Sequence, residues 1–188
     1  EEYGTNEDFL EFVEKAHQRG IRVIIDMVLN HVSIQHDIFD KGDDPGDPYR
    51  DWFVWEEAPS KLEGLWGQPV WHRYGDEHYY GFFSSGMPDW NFLNPDVTEE
   101  MHKASAFWIN EMKVDGFRLD AIRYLIEEEV EKHDSPSTHA WLKAYQAKIK
   151  TISPFHFNVG EVWAETATTA TYPNDEMDAT FQFELAEE

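Results

Sequence analysis

The chain contains no cysteine in its 188 residues. That excludes disulfides, thiol catalysis and thiolate metal sites, and it is neutral about compartment. Basic residues are scarce: 15 Lys and Arg stand against 38 Asp and Glu, a formal net charge of -23. Phosphate binding needs clustered Lys and Arg, so nucleic acid is excluded as a partner. Such acidity suits a neutral or polyhydroxyl substrate, a high-salt habitat, or simply a soluble surface. No apolar run reaches the roughly 18 residues of a membrane helix. No charged-then-apolar leader is present. The chain opens abruptly on "EEYGTNEDF", so an upstream signal stays open, and a secreted or periplasmic location is slightly favoured over a cytoplasmic one. Also missing are a Gly-rich phosphate loop, a GxSxG elbow and an HExxH helix.

What remains is a chain long enough for one domain with a sizeable core, and rich in aromatics at 15%. "TNEDFLEFVEKAHQRG" reads as a helix capped by Thr5 and Asp8 and stopped by Gly20. "IRVIIDMVLNH" follows, a continuous β-branched run of the kind covered on both faces in a parallel sheet. Residues 32–95 hold no period for long and carry many Trp, Tyr, Phe, Pro and Gly. This is too long for a connecting loop, and it predicts an inserted subdomain of short strands between barrel or sheet segments at 1–31 and 96–188. Helical period returns from Asp96, with Asp96 and Glu99 placed as a capping box and Met101, Ala104, Trp108 and Met112 along one stripe. "VDGFRLDAI" is a second buried strand, followed by a helix at about 122–132. Ser135 and Pro136 then open another helix, "FHFNVGEVW" is a third buried strand, and "DATFQFEL" offers a fourth. This alternation builds parallel α/β sheets, either open and doubly wound or closed as a (β/α)₈ barrel.

The charged residues lie inside or at the ends of these apolar strands. In "GFRLDA" Arg118 and Asp120 are two apart and share a strand face. Burying charges is costly, so they form a structural ion pair or they do chemistry. Asp26, Asp120 and Glu161 all fall near strand C-termini, where ligands bind in both sheet types. Two carboxylates from neighbouring strands can flank one glycosidic bond. Arg118 would hold Asp120 ionised as a nucleophile, and the apolar setting of Glu161 in "VGEVW" would raise its pKa as a proton donor.

"DMVLNH", "GFRLDA" and "GEVW", in that order and with a long insertion after the first, resemble signature regions of the α-amylase family, glycoside hydrolase family thirteen. "MPDWN" at 87–91 resembles a further short motif near the end of the inserted domain. The resemblance implies a partial (β/α)₈ barrel, about strands three to six, and a retaining mechanism on α-linked glucans or maltooligosaccharides. It implies Asp120 as nucleophile, Glu161 as acid and then base, and Arg118 as the residue that orients Asp120. His31 and Asp26 would serve the sugar subsite, and Asn30 is a candidate calcium ligand; no organic cofactor is implied. A transglycosylase using the same residues, and a non-catalytic barrel homologue, are the alternatives. The family's His-Asp pair has no match after Glu161, so the expectation is a segment of a longer enzyme, inactive by itself.

Other features read more plainly. The stretch "HVSIQHDIFDKGDDPGD" has oxygen donors for calcium but not the spacing of a twelve-residue calcium loop, so a solvated acidic loop is expected. Trp52, Trp55, Trp66, Trp71, Tyr79 and Tyr80 are expected mostly in the inserted core, with a minority lining a cleft. Glu127 to Glu129 and Glu131 are expected on a solvated helix face.

Overall fold

The computed structural model describes residues 4–128 and 133–187. Helix α1 (Asn6–His17) starts at Thr5, whose side chain accepts from the Asp8 N–H while the Asp8 carboxylate accepts from the Thr5 N–H. It leads into strand β1 (Ile24–Val28). The chain then makes a short helix α2 (Asp37–Gly42) and three short strands, β2 (Trp55–Glu56), β3 (Trp71–Tyr74) and β4 (Glu77–Tyr80). These strands form their own antiparallel sheet in the order β2-β4-β3. Helix α3 (Pro95–Asn110), strand β5 (Gly116–Asp120), helix α4 (Pro136–Ile152), strand β6 (Phe157–Gly160), helix α5 (Thr166–Thr169), strand β7 (Ala179–Thr180) and helix α6 (Phe183–Glu187) follow.

The main sheet is parallel, in the order β1-β5-β6-β7. Each new strand adds to the same side, with no reversal of direction along the sheet. An open doubly wound sheet turns back at a switch point; this one is an arc of a barrel. Phe117 and Leu119 of β5 are fully buried among Val97, Met101 and Ile109 of the α3 side and Leu142, Tyr145 and Ile149 of α4. Gly116 lets β5 lie tight between its neighbours: a Cβ there would sit 2.2 Å from the Phe157 carbonyl oxygen.

Four expectations change. Strand β1 is not covered on both faces: Ile24 and Val28 are exposed, because the inner face of a four-stranded arc is open. The cap of α3 is Asn94, whose side chain accepts from the Asp96 N–H, with Pro95 in the first turn. The helix expected at 122–132 is only a 3₁₀ turn at Ile122–Tyr124, with no helix over 125–128; residues 129–132 lie outside the described residues. Glu127 and Glu128 therefore do not lie on a solvated helix face. Glu127 accepts from the Tyr80 hydroxyl and Glu128 from the Ser137 N–H and hydroxyl, while Glu129 and Glu131 are outside the described residues.

Candidate active site

The site is built at the C-terminal ends of β1, β5 and β6. Register places Asp26 of β1 directly beside Arg118 of β5, and Val28 beside Asp120. Side chains two apart share a face, so Asp26, Arg118 and Asp120 meet on the inner side of the arc. Arg118 donates to Asp26 at 2.7 Å, to Asp120, and reaches Glu161 at 2.8 Å. One planar guanidinium thus holds three carboxylates, which a lysine's single ammonium would not orient as firmly. Burial works against its charge, but the bond to Asp26 and the fields of Glu161 and Asp120 outweigh that and raise its pKa.

Glu161 follows β6, and its backbone N–H donates to the Leu119 carbonyl at 2.9 Å. Ala121 follows Asp120 with φ of 51°, the left-handed region that non-glycine residues seldom adopt. That turn aims the Ala121 N–H at Glu161 Oε2, 3.3 Å away. Burial raises the Glu161 pKa; the Ala121 N–H and Arg118 pull it down, but the adjoining Asp120 carboxylate, hydrogen-bonded to protonated Glu161, pushes it up, and the net direction is upward. The two acids therefore lie together, and Glu161 is pushed toward its protonated form.

Both acids line a cavity of about 660 Å³, shared with His31, Trp66, Phe83, Met87, Arg123 and Trp163 among others. Its size suits a small-molecule site. His31 reaches it because "NHV" at 30–32 pairs with the returning "MPDWN". His31 bridges Asp89, the Trp90 N–H donates to the Asn30 carbonyl at 3.0 Å, and the Val32 N–H donates to the Pro88 carbonyl at 2.9 Å. The His31 ring packs edge-on against Phe83, and burial lowers its pKa against the opposing pull of Asp120. Asp26 is placed differently from the other site residues. It sits mid-strand, half exposed, paired with Arg118, and is not among the cavity's lining residues.

Among the described residues no group of three or more His, Asp or Glu side chains is disposed to hold a metal, in the 36–47 loop or elsewhere. Asn30 is fully buried, and its amide points at Asp89 without completing a well-formed hydrogen bond. Asp89 is also buried; burial and the nearby Glu127 raise its pKa well above its ordinary value. An amide oxygen and a carboxyl held together out of water are the donor types a hard cation uses.

Sequence reasoning did not single out Arg123, Phe83 or Met87. Met87 lay within the quoted "MPDWN", and Arg123 within the run after Asp120, a buried-strand end where a charged residue is itself a signal. Of the aromatics, Trp66 lines the cavity, whereas Trp52 and Tyr79 are buried in the core.

The family model for the alpha-amylase catalytic domain matches residues 1–188. The chain belongs to the alpha-amylase family. It is 38% identical over 187 residues to Alpha-amylase 3 of Dictyoglomus thermophilum, covering 98% of this chain and 35% of that protein. It is 40% identical over 155 residues to a trehalose synthase of Pimelobacter sp. (strain R48), covering 76% of this chain and 26% of that protein. The solved structure of an alpha-amylase from H. orenii superposes with a TM-score of 0.86 at 41% identity, covering 98% of this chain and 37% of that one. The chain thus spans about a third of the length of such amylase-family relatives, and its fold is part of their (β/α)₈ barrel.

Proposed function

We propose that the chain carries the nucleophile and the proton donor of a retaining glycosidase acting on α-linked glucans. The observation that supports this most is the convergence of Asp120 and Glu161 on one guanidinium at one cavity. Closely placed carboxyls fit the retaining route, which needs no room for a water between them. Asp120 attacks the anomeric carbon as Glu161 gives its proton to the departing glycosidic oxygen. The C–O bond breaks, and a covalent glycosyl ester forms on Asp120. Glu161, now a carboxylate, takes a proton from a water whose oxygen displaces Asp120. Arg118 fixes the angle between the two acids, and Asp26 holds Arg118 from the far side. His31, neutral because it is buried, can donate a hydrogen bond to a sugar hydroxyl without adding charge.

In the full-length protein Asp120→Asn is expected to abolish maltooligosaccharide hydrolysis while leaving the circular dichroism spectrum unchanged. Near-normal turnover by that variant would remove Asp120 from the role. Wild-type product released with inverted anomeric configuration, read by proton NMR, would rule out the retaining route.

The similarity to a trehalose synthase supports a second reading, transfer of the glucosyl group to a sugar instead of water. The same intermediate serves both. Product analysis with and without added acceptor sugar separates them: new glycosides favour transfer, and free sugar alone favours hydrolysis.

Calcium at Asn30, with Asp89 as its second donor, is part of the same proposal. A melting temperature that rises with added calcium and falls with chelator supports it; identical melting in both retires it.

A further inference from the structure

Arg123 is three residues beyond Asp120, buried, and lines the cavity. The Nε atom donates to Asp134 at 2.9 and 3.2 Å, Nη2 donates to the same carboxylate and lies 3.3 Å from His133 Nδ1, and Nη1 donates to the Trp163 carbonyl. Every nitrogen of the guanidinium is engaged. Asp134 closes the ring from its own side: its backbone N–H donates to the Arg123 carbonyl at 2.8 Å, and its φ of 57° turns the carboxylate back toward the guanidinium. The Tyr172 hydroxyl donates to Asp134 as well. Burial would raise the Asp134 pKa, but the bonds from Arg123 and Tyr172 outweigh it and hold it at about 2. The carboxylate is therefore held in its ionised form, and the tether is a charged pair near neutral pH.

The tether joins two particular segments. Arg123 belongs to the turn that leaves the Asp120 strand, and Trp163 is two residues past Glu161. The far side of the Glu161 segment is held by the Thr169 hydroxyl, which donates to the Ala164 carbonyl at 3.2 Å. The separation of the two acids is then set from behind, and a misplacement of about 1 Å can cost around a hundredfold in rate.

Resting on the glycosidase reading, we infer that Asp134, acting through Arg123, is a positioning residue that sets Glu161 against the leaving-group oxygen. Loss of the tether should harm proton donation more than nucleophilic attack. The full-length protein is assayed on a maltooligosaccharide, whose leaving group needs a proton, and on α-glucosyl fluoride, whose leaving group hardly does. Asp134→Asn is expected to lower kcat on the maltooligosaccharide by about tenfold to a hundredfold and on the fluoride by less than about threefold. Tyr172→Phe, a milder change that keeps the ring, is expected to show the same preference at smaller amplitude and carries the test if Asp134→Asn does not fold. Equal losses on both substrates, or no loss on either, overturn the inference. Glu161→Gln is the control for the underlying reading. If it shows no selectivity for the fluoride, Glu161 is not the donor and the inference falls with it; if it does, a flat Asp134 result counts against Asp134 alone.

Discussion

At the scale of single residues the setting of Glu161 decides how readily it holds a proton. Glu161 is pushed toward its protonated form by burial and by Asp120, against the pull of the Ala121 N–H and Arg118. A proton donor fails as it ionises, so kcat/KM should fall as pH rises through this raised pKa. The alkaline limb is expected above the ordinary glutamate range on a maltooligosaccharide, and to be weak or absent on α-glucosyl fluoride, whose leaving group hardly needs the proton. His156 is the opposite case. It is 2% exposed, packs on Phe117 at 4.4 Å, and burial lowers its pKa to about 4, helped by Lys150. Neither ring nitrogen has a hydrogen-bond partner among the described residues. The fold therefore favours the neutral ring. Its contribution is complete above the unfolded pKa near 6.5 and is lost as pH falls toward 4. Between pH 7 and pH 5 the wild type should lose about 2 kcal/mol more unfolding free energy than His156→Phe. Urea melts at the two pH values check this, and equal losses would show that His156 is not coupled to folding.

At the scale of elements, caps and registers matter most. Ser135 is fully buried at the start of α4, where its hydroxyl accepts from the Thr138 N–H at 3.1 Å and donates to the Ile126 carbonyl. It thus joins the helix to the turn that follows Arg123. Ser135→Ala should cost about 1–2 kcal/mol in urea unfolding, at the upper end for a cap because a second buried partner is orphaned. The register of β1 against β5 is the other decisive feature. A slip of one residue would turn Asp26 and Arg118 to opposite faces and dissolve the three-carboxylate cluster.

At the scale of the whole molecule, a charge of -23 makes the compact state repel itself. Salt screens that repulsion, with a Debye length near 30 Å at 0.01 M and near 3 Å at 1 M. The melting temperature should therefore rise by about 4–8 °C over that range of sodium chloride, if screening is worth about 2 kcal/mol. A falling melting temperature would mean that the surface ion pairs outweigh the net charge. Among the described residues Ile24, Val28 and Phe157 are exposed, and β1 and β7 are the edge strands of the arc. Open edges invite pairing with other strands.

The order of the main strands and helices was legible from the sequence because each element's pattern is local: a β-branched run for β1, buried apolar runs around β5 and β6, and Thr5 and Ser135 for two helix starts. The acids and Arg118 were legible too, since charges inside apolar runs are costly and few. The structure decided what depends on distance through space. It paired Asp26 with Arg118, shortened the segment after Asp120 to a single turn, exposed one face of β1, and brought Arg123 and Asp134 together behind the acids. Local pattern is written along the chain, whereas burial and ion pairing are properties of neighbours that only folding supplies.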